Sequence, residues 1–334
     1  MHMADALLSP FVGMALMVAS GAALAVASRR VQADGRDHIV PLMGVLGAFV
    51  FAAQMINFTL PGTGASGHIG GGLLLSILLG PSAALVVLAS VLAVQALFFA
   101  DGGLLALGAN VFNLGVCSCW VAYPLVYRPL LAGAGPQASQ RRVGMATVLA
   151  CVVGLQLGAL GVVLQTWLSG ISSLPLGTFL LMMQPIHLAI GLAEGLATAA
   201  VVLFVRQARP DLLTGVALSP AVTAKRAAFP KVFVIGMSLA ALLTAGVLSR
   251  FASGLPDGLE WAIAHTTGQA DLPVVSDHRQ DTITPPPDPA TSLAGVVGGI
   301  LTCVLVLAIG MALRLGRRWR IPRFNREPHP PRID

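Results

Sequence analysis

Apolar runs of about 20 residues, the length that crosses a bilayer as a helix, alternate along the chain with short polar interruptions. They fall at about 7–28, 39–58, 104–127, 143–168, 185–205, 232–249 and 293–313. The stretch 68–99 is different. At 32 residues it is long for one span and short for two, and Gly80-Pro81 breaks it about a third of the way along. The distribution of basic residues resolves the count. With the N-terminus outside, Arg29, Arg30 and Arg36 are cytoplasmic. A single crossing over 68–99 would then put Arg128, Arg141 and Arg142 outside. Two crossings keep them inside, together with Arg206, Arg209, Lys225, Arg226, Lys231, Arg314, Arg317, Arg318, Arg320 and Arg323. The pattern therefore predicts an all-α polytopic membrane protein. Seven helices end near residue 210, a cytoplasmic connector follows at 211–231, and two more helices flank a polar extracytoplasmic loop at about 251–292. The first half of the divided stretch, 68–79, reaches only about 18 Å at ~1.5 Å per residue, against a hydrocarbon core of ~30 Å. His68, at its start, is therefore set deep.

Composition agrees with a bilayer setting. Of 334 residues, 56% are hydrophobic and 10% charged, and the mean hydropathy is +0.82; soluble domains carry about 25% charge. The net charge of +6 would suggest nucleic acid in a soluble protein. Here the arginines cluster between apolar runs and set topology, so the lipid bilayer is the expected surroundings and no nucleic-acid partner is expected. Cys117, Cys119, Cys151 and Cys303 lie in apolar stretches without a C-x-x-C pair, as expected for buried, inert thiols. The first 28 residues are no secretory signal, because the basic pair Arg29-Arg30 follows the apolar run instead of preceding it. They are expected to stay as a helix.

Three features converge on the outer face: the N-terminus with His2, the loop 61–67, and His68. Residues 1 and 2 offer the α-amine of Met1, the backbone nitrogen of His2 and the His2 imidazole, which together close a five- and a six-membered chelate ring on one metal. A planar nitrogen set favours nickel(II) or copper(II) over magnesium, calcium or tetrahedral zinc. One further imidazole completes it, and His68 is the candidate. The bulk of His2 should also discourage removal of Met1. Taken singly, His2 also fits a disordered terminal residue, and His68 a helix-start histidine bonded to nearby backbone. On the same side of one membrane protein they point together to a metal site.

The runs Met1-His2-Met3-Ala4-Asp5-Ala6-Leu7-Leu8-Ser9-Pro10, Ser66-Gly67-His68, Leu79-Gly80-Pro81 and Gly102-Gly103-Leu104-Leu105-Ala106-Leu107-Gly108-Ala109-Asn110-Val111-Phe112-Asn113 resemble the CbiM/NikM family. These are cobalt/nickel-specific membrane subunits of energy-coupling-factor transporters. The resemblance covers about residues 1–205. Pro256-Asp257-Gly258-Leu259-Glu260 resembles the signature of the small companion subunit CbiN/NikN, here fused as residues 232–334 behind a substrate-binding module at 1–210. The resemblance implies that Met1, His2 and His68 hold the metal. It also implies a transmembrane coupling subunit and ATPase subunits as partners, in the bacterial cytoplasmic membrane. Ala6 stands where the family usually has Gly and Met3 where it commonly has Ile, departures that leave the ligands in place.

Polar side chains in spanning helices suggest function by default. Asn110 and Asn113 share a helix face, as do Gln54 and Asn57. With Ser66 they are candidates to support the metal loop; interhelical hydrogen bonds that merely fix packing are the alternative. His187 and Glu194 lie two turns apart on the seventh helix, as a possible pair or as structural contacts. Ala15, Ala19, Ala23 and Ala27 form a small-residue stripe on the first helix, suited to a coupling subunit or to packing within the chain. His265, Asp271, Asp277, His278 and Asp281 read as a solvated loop or a metal-collecting cluster.

The leading function is capture and inward passage of Ni2+ or Co2+ as transported substrate, with no organic cofactor and no catalysis by this chain. It has no G-x-x-x-x-G-K-[ST] loop, so ATP hydrolysis falls to a partner. A self-sufficient secondary carrier is the alternative, although paired broken helices in two halves are missing. A membrane metalloprotease is disfavoured, because H-E-x-x-H is absent.

Overall fold

A computed structural model of the chain describes residues 2–134, 138–208, 231–268 and 289–320. Its helices are α1 (Pro10–Asp34), α2 (Val40–Gln54), α3 (Gly72–Leu79), α4 (Pro81–Phe98), α5 (Leu107–Leu131), α6 (Gln140–Ser169), α7 (Leu176–Ala208), α8 (Lys231–Gly246), α9 (Gly258–Thr267) and α10 (Pro289–Arg320). Between α2 and α3 the strands β1 (Phe58–Leu60) and β2 (Ala65–Gly67) form a small antiparallel hairpin, with Phe58 opposite Gly67 and Leu60 opposite Ala65.

Among the described residues seven helical stretches are long and apolar enough to cross a membrane: α1, α4, α5, α6, α7, Phe233–Phe251 and α10. The helices α2 and α3 are apolar but shorter, with 15 and 8 residues. At ~1.5 Å per residue they reach only about 22 Å and about 12 Å. The expected division of 68–99 into two helices is present. Gly80 separates them at φ 89°, a conformation open to glycine, and Pro81 starts α4 at the first helical position, where its missing N–H costs nothing. Arg36 Nη2 donates to the Leu79 carbonyl (3.0 Å), so one of the orphan carbonyls at the end of α3 is satisfied by a side chain beside the end of α1.

The short α3 is buried at every residue and lies against α4 and α5. Most of α4 is buried and most of α1 exposed, so α4 is a central helix and α1 a peripheral one. Glycine permits one close contact of α1: Gly108 at the start of α5 meets the backbone of Met17, and Ser20 Oγ donates to the Gly108 carbonyl at 2.6 Å. The helices α6 and α7 form a long antiparallel pair, while α8 and α10 pack on α2. Asp37, in the short turn just before α2, holds α10 through Arg317 (2.6 Å) and Arg314 (3.4 Å).

Several expectations need correction. The second helix ends at Gln54, not near 58, so Asn57 lies past its end and shares no helix face with Gln54. Hairpin pairing of 58–60 with 65–67 competes for those backbone groups and wins. The seventh helix starts at Leu176, not 185, and carries Pro185 inside it. The segment 251–292 is not wholly a loop, since Asp257 caps α9 within it. Of the alanine stripe, Ala15 and Ala19 face outward and Ala27 is buried. Cys117, Cys119 and Cys151 are buried free thiols. Residues 211–230 of the connector, the loop acids Asp271, Asp277 and Asp281, His278 and the tail with Arg323 lie outside the described residues. His265 stacks on Trp261 with ring centroids 3.9 Å apart.

Candidate metal centre

The N-terminal segment threads back into the bundle and is fixed in register by two anchors. Met3, fully buried, donates its N–H to Asn110 Oδ1 (2.7 Å) and accepts from Asn110 Nδ2 at its carbonyl (3.1 Å). Asp5 Oδ1 accepts from Ala106 N (2.8 Å). Both anchors need the glycines of the 101–106 loop. Gly102 has φ 74°, and a Cβ on Gly103 would collide with the Asp5 carboxylate. Leu7 and Leu8 are buried behind them.

These anchors bring His2 beside His68. The two imidazoles lie almost parallel, 8° apart, with ring centroids 4.9 Å apart. His2 Nδ1 is 3.2 Å from Asp101 Oδ1, and His2 Nε2 is buried without a hydrogen-bond partner among the described residues. His68 Nδ1 lies 3.3 Å from the Ile69 carbonyl, a contact that selects the tautomer with Nδ1 protonated and the lone pair on Nε2. Partial burial acts to raise the Asp101 carboxyl, and the facing His2 imidazole more than offsets it, holding Asp101 below the usual carboxylate range. Met1 lies outside the described residues. No group of three or more His, Cys, Asp or Glu side chains arranged to hold a metal occurs among the described residues.

The turn 68–71 is gripped from two helices, one of them backed by a third. Glu194 of α7, buried, takes Gly70 N at one oxygen (3.0 Å) and Gly71 N at the other (2.9 Å). It places a carboxylate at the N-terminus of α3, where no capping side chain is supplied locally and the helix dipole favours negative charge. Gln54 of α2 donates to the Gly70 carbonyl (2.8 Å) and is held by Gln95 of α4 (2.9 Å). A cavity lined by Gly67, His68, Gly70, Leu114, Leu155 and Ile190 lies against this turn.

The hairpin is covered from outside by the segment leading into α9. Ser66 N donates to the Pro256 carbonyl (2.7 Å), Ser66 Oγ to Leu255 O (2.7 Å), Ser253 N to Asn57 O (2.7 Å) and Trp261 Nε1 to Thr63 O (2.8 Å). Asp257 Oδ1 accepts from Leu259 N and Glu260 N, and Glu260 returns the bond by accepting from Asp257 N (3.0 Å). Burial, and after it the Asp257 charge, push Glu260 up to about 7.

The candidates thus separate. His2 and His68 come together, while Asn110 holds the backbone next to His2, Glu194 the turn after His68, and Ser66 the segment that covers the hairpin. Asn57 contributes its backbone carbonyl. Asn113 instead pairs reciprocally with Gln165 of α6 (2.8 and 2.7 Å). His187 and Glu194 do not pair. His187 Nδ1 donates to Met183 O (2.8 Å), and the ring packs against Gly258. Reading the sequence missed Asp101, Gln95 and Asp257. A carboxylate followed by Gly102-Gly103 between two spanning helices was the available signal for Asp101.

A Glu194→Gln change tests the grip on the turn. An amide offers one acceptor where two N–H groups need two, and it turns its own N–H toward a donor. Thermal unfolding should show a loss of about 1–3 kcal/mol, and nickel titration an affinity weakened ~10-fold or more. Unchanged values in both would show that Glu194 does not hold the turn.

Two family models match the chain: CbiM, the cobalt uptake substrate-specific transmembrane region, over residues 2–212, and the PDGLE domain over residues 231–284. A putative fused nickel transport protein NikMN of Archaeoglobus fulgidus is 33% identical over 94% of this chain and 98% of its own length. A cobalt transport protein CbiM of Sorangium cellulosum is 31% identical over 63% of this chain and 87% of its own. A solved structure described as a truncated transition metal transporter superposes with a TM-score of 0.55 at 29% identity, covering 62% of this chain and 99% of that one.

Proposed function

Because the chain belongs to the CbiM family, we propose that it is the substrate-binding membrane subunit of an ATP-driven uptake transporter for Ni2+ or Co2+. The ion is held in a planar set made of the Met1 amine, the His2 amide and imidazole, and the His68 imidazole. A transmembrane coupling subunit and ATPase subunits of an energy-coupling-factor complex drive its passage inward. The chain sits in the bacterial cytoplasmic membrane with its N-terminus outside and its C-terminus in the cytoplasm.

The observation that carries this reading is the pair His2 and His68. They are far apart in sequence, yet their rings lie 4.9 Å apart at the end of an anchored N-terminal segment. Two imidazoles are too few for a tight transition-metal site. With no cluster of three side-chain ligands among the described residues, the remaining donors are sought in the backbone and terminus beside His2. The names of the relatives, nickel and cobalt transport proteins, point to the same cargo. Asn110, Ser66 and Glu194 serve as supports that hold the His2 segment and the His68 turn.

The test is radioactive nickel uptake by cells producing this chain alone or with the coupling and ATPase subunits. Uptake well above background is expected only with all subunits. Equal uptake by the chain alone would overturn the proposal in favour of a self-sufficient carrier.

A further inference from the structure

The C-terminal module brings a charge to the metal centre. Pro256 and Leu255 hydrogen-bond Ser66, two residues before His68, and Asp257 follows directly. Gly258 lets this segment approach α7 closely: a Cβ there would stand 2.7 Å from Ile190 Cδ1 and 3.1 Å from His187 Cε1. Asp257 Oδ1 is taken by the α9 cap, and the carboxylate charge acts on His68, as does that of Asp101 on the His2 side. Asp101 thus faces His2, and Asp257 follows the segment bonded to Ser66, close enough for its charge to be felt at His68, one carboxylate from each module.

The balance of charge at the site gives them a task. A divalent ion bound by a neutral amine, two neutral imidazoles and one deprotonated amide, whose proton leaves to solvent, keeps one net positive charge, which one carboxylate would balance and two would share. Held away from water, an uncompensated charge is costly. His2 Nδ1, the nitrogen that closes the six-membered ring with the His2 amide, now faces Asp101. On taking the metal it exchanges that contact, leaving the Asp101 carboxylate beside the new charge.

We propose that Asp257 acts with Asp101 as the countercharge of the bound divalent ion, so that the C-terminal module helps to set metal affinity. The proposal rests on the terminal chelate of the preceding subsection and adds a role for the fused segment. Asp257 is a positioning and charge-balancing residue, not a ligand.

The cap allows charge to be separated from fold. Asn and Ser cap helices about as well as Asp, so Asp257→Asn and Asp257→Ser retain α9 and remove the charge. In the purified full-length protein, calorimetric nickel titration should show both variants weakened to a similar degree, by about tenfold or more, with melting temperatures close to the parent's. Asp101→Asn should weaken binding as well, and the double variant further. Parent-like affinity in both Asp257 variants, with the parent binding nickel, would overturn the countercharge alone. Failure of the parent to bind nickel would overturn the chelate and the countercharge together.

Discussion

One residue added before Met1 is expected to abolish tight nickel binding, whereas the same addition after Asp334 is tolerated. An acylated amine loses its basic lone pair, and the residue after the new terminus is no longer histidine. The chain cannot recover by sliding one position. Met3 is locked by its reciprocal hydrogen bonds to Asn110, and Asp5 by the Ala106 N–H. A slip would also pull fully buried Met3 from its pocket, at a cost of about 2–5 kcal/mol by comparison with core truncations. Nickel titration of the two extended forms at one pH decides the matter. Equal affinity would show that the terminal nitrogens take no part and that any metal is held elsewhere.

His68→Ala is expected to lower nickel affinity by more than ~100-fold, since loss even of outer partners of a metal site commonly costs 10–100-fold. The fold should survive, because the turn around His68 is held by others: Glu194 on Gly70 and Gly71, Gln54 on Gly70, and Ser66 on the 255–256 backbone. The imidazole's contact with Ile69 O is long, at 3.3 Å, so the loss of that hydrogen bond should cost on the order of 1 kcal/mol. Calorimetry gives the affinity and thermal unfolding the stability. Parent-like affinity would remove His68 from the ligands. A collapse of stability would show that the loss of binding came through the fold.

The two predictions draw on different parts of the chain. His2 and His68 were visible as candidates in the sequence, because histidine at position 2 has a particular chelating chemistry and the Gly80-Pro81 break sets the helix after His68 short. The supports were only partly visible. Asn110 stood out as an amide in an apolar helix, but nothing in its spacing named Met3 as its partner. Asn113 stood out equally and turned out to pair with Gln165 across the α5–α6 contact. Glu194 looked like a partner for His187 on its own helix, yet it caps α3 more than a hundred residues away in sequence.

What the sequence determined by itself was set by solvent and by short range. Apolar length fixed the helices, since a backbone in hydrocarbon must bond internally. Proline and glycine fixed the break before α4. What only the tertiary structure decided was which polar group meets which. Most buried donors and acceptors find partners, but a carboxylate such as Glu194 or Asp257 satisfies that need equally on its own helix, a neighbouring helix or a distant loop. Packing chooses among them: α7 brings Glu194 to the start of α3, the hairpin gives Ser66 the backbone of 255–256, and Asp101 reaches His2 because Gly102 and Gly103 let the N-terminal segment pass. Those encounters carry no local signature, because their energy arises only once several helices have closed around the same few ångströms.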